Sequence, residues 1–305
     1  MHKSVIEAKA FQDEVAAYAW VEARVWPEGP ICPHCGGVER ISKMRGKSTR
    51  IGAYKCYQCR KPFTVKVGTV FESSHVPMRF WLQAMFLLCS SKKGISSNQL
   101  HRTLGVTLKT AWFMTHRIRE AMRVVGVEPM GGAGVVIEAD ETFYGQVEGE
   151  PKRPGTGHKH VVLSLIERGG SARSFHVEGT RIADIAPVLR AHVKSESTLM
   201  TDEGTYYREV GREFARHDSV KHKEDEYVRG DAHTNTAEGF FSIFKRGMTG
   251  VYQHCHEKHL HRYLAEFDFR YSNRAKLGID DVARTERALQ GIVGKRLTYR
   301  TTPHH

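Results

Sequence analysis

Acidic residues are almost missing from one quarter of this 305-residue chain. Residues 40 to 119 hold 16 Lys or Arg and a single acid, Glu72. The remainder holds 30 basic and 33 acidic residues, so the formal net charge of +12 comes wholly from that quarter. A surface built only for solubility mixes its signs, and a one-sided stretch of this length points to a polyanion. Nucleic acid is the first choice, because each neutralised phosphate releases counterions. Long apolar runs are missing too. The most apolar segment, "FWLQAMFLLC" (residues 80–89), is too short to cross a bilayer and contains Gln83. The N-terminus has early acids and no apolar signal core, so a cytoplasmic protein with no membrane partner is expected. Low-complexity tracts and internal repeats are also lacking, and the length allows two or three domains, one with a substantial core.

Cysteine is scarce but patterned. Four of the six fall as "CPHC" (Cys32, Cys35) and "CYQC" (Cys56, Cys59), which gives C-x2-C-x20-C-x2-C. Two such knuckles let four thiolates surround one Zn²⁺, and four thiolates leave no position open for catalysis, so the expected zinc is structural. Gly36 and Gly37 supply the tight turn after the first knuckle. Disulfides are the competing reading and need an oxidising compartment for which the chain shows no signal. Cys89 lies in an apolar helical run and reads as core. Cys255 sits in "HCHEKHLH" with His254, His256, His259 and His261, which reads more simply as a His-rich segment leading into a helix than as a second metal site.

Behind Pro77 the segment "PMRFWLQAMFLLCSSK" has helical periodicity, followed by "SSNQLHRTLG" and "VTLKTAWFMTHRIREAM". Ser96 or Ser97 can cap the first of these and Thr107 the second, with Gly105 at the bend, which is a helix-turn-helix pattern. On the last helix Lys109, Thr110, His116, Arg117 and Arg119 are candidates to reach DNA, while Ala111, Trp112 and Ile118 pack inward.

From residue 131 the pattern changes. "GGAGVVIEAD" reads as a strand ending at Asp140, and "HVVLSLIERGG" with "SARSFHVEG" as two more joined by a Gly-Gly turn. An amphipathic helix ("TRIADIAPVLRAHVK"), a short strand ("STLMTDEG"), a helix ("YYREVGREFA") and a strand at "SVKHK" follow, which makes a mixed α/β sheet. Asp140 and Asp202 both end strands, so they can meet where strand ends gather. In "HTNTAEGFFSIFKRG", read as a helix, Asn235, Glu238, Ser242 and Lys245 share one stripe, and Phe240, Phe241, Ile243 and Phe244 cover the other side. Asp140, Asp202 and Glu238 would then form a hard-oxygen cage for Mg²⁺ or Mn²⁺. Two such ions about 3.5–4 Å apart serve phosphodiester displacement. Glu141 and Glu203 read as solvated surface acids. Glu138 shares a strand face with Asp140 and is a candidate outer ligand.

In their order and spacing, "WPEGPICPHCGG", "YKCYQCRKPFTVKVGTVFESS", "IEADETFYG", "TDEGTYY", "HTNTAEGFFSIFKRGMTGVY" and "HLHRYLAEFDFRYSNR" cover most of the chain. Together they resemble the DDE transposases of bacterial insertion sequences that carry an N-terminal zinc ribbon and a ribonuclease-H-like catalytic domain. The resemblance implies metal-dependent DNA strand cleavage and strand transfer at the terminal inverted repeats of a mobile element. Asp140 and Asp202 match the first two acids. The third position in this family type is Asn or Glu, and both Asn235 and Glu238 stand in the matching segment. Glu238 is preferred because an anion holds Mg²⁺ better than an amide, with Asn235 as the alternative. Lys245 matches a basic residue after the third acid and, with Arg246, is a candidate DNA contact.

The expected organisation is an N-terminal helical segment (1–30), a zinc ribbon (31–72), a helix-turn-helix domain (73–129), a mixed α+β ribonuclease-H-like domain (130–280) and a C-terminal tail (281–305). Expected partners are double-stranded DNA, as element ends and target, and at least one further copy of the chain on that DNA, which would place the protein at the nucleoid when bound. Two alternatives stay open at this point. One is a nuclease of the same fold without strand transfer; the other is a zinc-ribbon and helix-turn-helix regulator whose catalytic half is inactive.

Overall fold

The computed structural model describes residues 4–126, 128–220 and 233–298. It divides into two compact units, Met1–Arg123 with Ile279–His305, and Val124–Gly278.

The first unit opens with α1 (Lys9–Gln12) and α2 (Glu14–Val25), the latter capped by Asp13, whose carboxylate accepts from Ala16 N at 2.8 Å. Three short antiparallel strands follow, β1 (Ile41–Lys43), β2 (Tyr54–Cys56) and β3 (Pro62–Phe63), in the order β1-β2-β3. A ribbon this small buries little, and its core is Cys32, Cys56 and Phe63 with Trp26 and Tyr54 beside them. Trp26 meets Tyr54 and Phe63 edge-on at 5.6 and 5.7 Å, and Tyr54 donates its hydroxyl to Glu22 at 2.8 Å. The N-terminal helices therefore brace the ribbon.

Next come α3 (Met78–Ser90), α4 (Ser97–Leu104) and α5 (Leu108–Met122). Pro77 precedes α3 and offers no side-chain cap; Glu14 does so instead, accepting from Met78 N at 2.7 Å and Arg79 N at 3.2 Å. Ser96 caps α4 through Gln99 N, and Thr107 caps α5 through Thr110 N, both at 3.1 Å. Gly105 ends α4 at φ 65°, a left-handed conformation that a side chain would strain. Trp81, Leu82, Met85, Leu88, Leu100 and Ile118 are fully buried among these helices.

The second unit is a mixed α/β sheet. It contains β4 (Val136–Tyr144), β5 (His160–Glu167), β6 (Ala172–Val177), α6 (Ile182–His192), β7 (Thr198–Thr201), α7 (Tyr207–Val210), β8 (Arg216–Ser219), α8 (Asn235–Gly247) and α9 (Glu257–Ser272). The order is β6-β5-β4-β7-β8, with β4, β5 and β6 antiparallel and β7 and β8 parallel to β4. Ile137, Ala139, Leu163 and Leu165 face α6 and α7 on one side, where Ile185, Leu189, Tyr207 and Val210 pack. On the other face Val162 and Ile166 meet Phe240, Phe241 and Phe244 of α8 and Leu260, Leu264 and Phe267 of α9.

Three expectations change. β4 does not end at Asp140 but runs to Tyr144, because its antiparallel pairing with β5 continues through Tyr144↔His160. The last strand lies at Arg216–Ser219 rather than 219–223, and residues 221–223 fall outside the described residues. The segment 281–305 is not simply a tail: α10 (Asp281–Gln290) packs on α2, α3 and α5 in the first unit. Its many charges disguise an inward stripe of Arg284, Thr285, Ala288 and Leu289, with Ile292 just beyond. Arg284 satisfies its buried guanidinium on Cys89 O at 2.9 Å, Ile279 O at 3.2 Å and Asp281. Among the described residues no helix is long and apolar enough to cross a membrane.

Candidate metal centres and nucleic-acid interface

In the ribbon, the four cysteine sulfurs lie within 4.8 Å of one another. Cys32 Sγ is 3.6 Å from Cys59 Sγ, and Cys35 Sγ is 3.7 Å from Cys56 Sγ. These separations are far beyond a disulfide bond. They match the edge of a tetrahedron with Zn–S bonds of about 2.3 Å, which is about 3.8 Å. The backbone amides of Cys59 and Gln58 point at Cys56 and, against the cost of desolvation, bring its thiol down to about 7. Four thiolates in this arrangement suit a structural Zn²⁺ and nothing harder.

In the second unit, sheet register brings the two aspartates together. The parallel ladder pairs Val136↔Thr198, Ile137↔Leu199 and Glu138↔Met200, and then stops. Continued by two rungs, the same register sets Asp140 opposite Asp202. Past the last rung β4 and β7 no longer bond, and the carboxylates of Asp140, Asp202 and Glu141 converge in that gap with ligand atoms within 4.8 Å of one another. Asp140 Oδ1 accepts from Glu141 N at 2.8 Å, and Asp202 Oδ1 accepts from Gly204 N at 2.9 Å, so both carboxylates are oriented by backbone.

Glu141 reads from sequence as a solvated acid, and the structure corrects this. It starts on the opposite face of β4 and accepts hydrogen bonds from the hydroxyls of Tyr206, at 3.0 Å, and Tyr207. Burial pushes its carboxyl up to about 8; the charges of Asp202 and Asp140 add to the rise, and the tyrosine hydroxyls oppose it. Three carboxylates so close repel one another unless protons or cations intervene. The donors are all hard oxygens, which suits Mg²⁺ or Mn²⁺ rather than the metal of the ribbon. The signal for Glu141 was available in the sequence as the two tyrosines of "TDEGTYY", which stand just after Asp202.

Glu138 is not a spare ligand. It is fully buried, and Arg168 Nε donates to it at 2.6 Å. It also accepts from the first turn of α8, from Thr236 N at 2.9 Å, Thr236 Oγ1 at 2.8 Å and Ala237 N at 3.0 Å, and His233 Nδ1 lies 3.4 Å away. A carboxylate on the free amides of a helix N-terminus satisfies them and opposes the helix dipole. Thr234, the residue before the helix, provides no side-chain cap, so Glu138 replaces it from β4. This fixes the start of α8 two residues along the strand from Asp140. On α8 the stripe expected from sequence is present: Ala237, Phe240, Phe241 and Phe244 are buried, while Asn235, Glu238, Lys245 and Arg246 are exposed. Glu238 stands in the first turn and lies outside the group formed by Asp140, Glu141 and Asp202.

Of the candidate DNA contacts on α5, Lys109 is exposed. Arg117 and Arg119 are 5% and 1% exposed and are not surface contacts. Arg117 donates to Val70 O and Glu72 O, both at 2.8 Å, and to Leu297 O at 3.2 Å; Arg119 donates to Thr115 Oγ1 at 3.3 Å. His116 is fully buried as well. The whole of α5 from Met114 onward is enclosed, so only its first turn presents charge. Exposed cations of the basic quarter lie elsewhere, at Lys43, Arg45, Lys47, Arg50, Arg60 and Lys61 of the ribbon and at Lys92, Lys93 and Arg102.

Residues 131–272 match the ISXO2-like transposase domain and residues 12–62 the transposase zinc-ribbon domain. Over 282 residues, 86% of this chain and 92% of the relative, the sequence is 28% identical to a Halobacterium salinarum protein described as an uncharacterized protein in transposable element ISH50.

Proposed function

From the chain's membership of the DDE-type insertion-sequence transposases with an N-terminal zinc ribbon, we propose that it cuts the ends of a mobile element and joins them to target DNA. The observation that carries this reading is the meeting of Asp140 and Asp202 in the gap beyond the β4–β7 ladder. Asp140 and Asp202 hold the catalytic cations, with Glu238 as third ligand and Asn235 as the alternative, and Glu138 keeps the first turn of α8 in place for it. Mg²⁺ or Mn²⁺, as a pair of ions, supplies the positive charge that offsets the scissile phosphate and the attacking and leaving oxygens. Glu141, held by Tyr206 and Tyr207, lines the same gap and adds negative charge that favours cation binding.

Hydrolysis leaves a 3′-hydroxyl on the element; that hydroxyl then attacks the phosphorus of a target phosphodiester, forming a new P–O3′ bond as the target's own 3′-oxygen leaves and takes up a proton. Both steps are in-line displacements at phosphorus, so one set of carboxylates serves both. Lys245, two turns along the same stripe as Glu238, and its neighbour Arg246 bind phosphates near the cut. The exposed lysines and arginines of the ribbon, with Lys109 on α5, bind the terminal inverted repeats. Two ends must be held for one product, so a dimer or larger assembly acts on DNA.

The test incubates purified protein with Mg²⁺, a labelled element end and a target plasmid. Joined products from the parent protein and none from Asp202→Ala are expected. Nicking without joining would reduce the protein to a nuclease. A gel shift without cleavage, unchanged by Asp202→Ala, would leave a DNA-binding regulator.

A further inference from the structure

A second group of ligating side chains lies on the same face of the sheet as Asp140, beyond the end of its chemistry. His160 opens β5, His176 lies next to last on β6, and Glu257 is the first residue of α9. Their ligand atoms lie within 4.8 Å of one another. Register explains the pairing. His176 sits opposite Val162, and His160 is two residues before Val162, so both rings project to the face covered by α8 and α9 as diagonal neighbours. The rings meet edge to face, with centroids 5.1 Å apart and planes at 76°. α9 packs along β6, and the extended backbone at His256 starts the helix so that Glu257 reaches the pair.

A plainer reading fits less well. A histidine pair buried as core would be enclosed on both rings, yet His160 is 5% exposed while His176 is only half-buried. Among the described residues, neither His160 nor His176 has a hydrogen bond to a protein group, and no ion pair joins Glu257 to either ring. One ligand atom from each of the three groups thus comes within the reach of a single ion.

We propose that His160, His176 and Glu257 form a third metal site, which takes a transition-metal cation, Zn²⁺ first. Two imidazoles and one carboxylate are borderline donors suited to zinc, unlike the oxygen set at Asp140 or the sulfur set in the ribbon. Three protein ligands leave a position open to solvent or to a further ligand. Bound there, the ion fastens the start of α9 to β5 and β6.

The experiment strips the full-length protein of metal and returns Zn²⁺ in the presence of excess Mg²⁺, which keeps the carboxylate site occupied. Bound zinc is counted after equilibrium dialysis. We expect two zinc ions per chain. Glu257→Gln, at an exposed helix start, should weaken the second zinc by at least about tenfold, the loss already typical of groups one step outside a metal's ligands. The double variant His160→Asn/His176→Asn should abolish it. Co²⁺ separates the sites: the ribbon's thiolate charge-transfer band should persist in every variant, and the additional nitrogen–oxygen ligand-field bands should vanish from the double variant. Added Zn²⁺ should also raise the melting temperature of zinc-ribbon-loaded parent protein but not of the double variant. One zinc per chain in the parent protein would overturn the site, as would a second zinc that survives both sets of substitutions.

Discussion

Lys109 and Arg117 stand two turns apart on α5, each a cation in a basic stretch, yet they have opposite roles. Lys109 meets solvent, and Lys109→Ala should weaken DNA binding evenly across sequences and lower the salt slope by about one unit, as read by binding isotherms at several salt concentrations. Arg117 is spent on three backbone carbonyls. Arg117→Ala should cost about 2–3 kcal/mol in urea unfolding, because buried acceptors lose their donor. Residue type alone does not separate the two, since an arginine's long stem and five donors suit it equally to phosphate or to buried carbonyls. The four cysteines were legible because their spacing admits few other uses. Titration gives a further residue-scale test. Burial between α9 and β6 pushes the Asp268 carboxyl up to about 7, against the donors of Ser174 and the charge of Arg173. The folded chain thus keeps a proton that the unfolded chain has lost above its ordinary 3.8. This group's contribution is most favourable below that value and is lost as pH rises to about 7 and beyond. Asp268→Asn should flatten this part of the fall in melting temperature between acidic and neutral pH.

The tie between Glu138 and the first turn of α8 is an interaction between elements, and it divides stability from chemistry. Glu138→Ala leaves Arg168 without its carboxylate and two helix amides without an acceptor, so a loss of about 3–5 kcal/mol is expected in chemical denaturation, with strand cleavage lost as well. Asp202→Ala should instead leave the unfolding midpoint nearly unchanged while removing cleavage. Equal destabilisation by the two would mean that the carboxylates in the gap are structural. At this scale the sequence showed α8 well, because phenylalanines at helical spacing have one natural arrangement. It showed β4 less well: a strand that changes from buried to half-exposed at Asp140 looks finished there, and only the pairing with β5 carries it on to Tyr144. α10 was hidden for a related reason, its inward face being built from Arg284 and Thr285 as much as from apolar side chains.

Across the whole molecule, the two units have separate cores, and the four-thiolate zinc site belongs to only one. Chelation, or Cys56→Ser, should unfold the ribbon, because the roughly 10–16 kcal/mol of a structural zinc site is folding energy for so small a module. Calorimetry of Cys56→Ser with Zn²⁺ present should show the transition of the unit containing α8 and α9 persisting while the other shifts downward; chelation, which also empties the site on α9, should lower both. A single transition that moves as one would show that the units fold together. The register shared by Asp140 and Asp202 has one more outcome. Each aspartate is tied to its own strand, two positions past the final rung, and the 61 residues between them matter only through the sheet. Relatives can therefore lengthen or shorten the polar loop after Tyr144, the Gly-Gly turn or the approach to α6 by any number of residues and keep the chemistry. Deleting one residue from 136–140 or 198–202 would turn a carboxylate to the wrong side of the strand and end it.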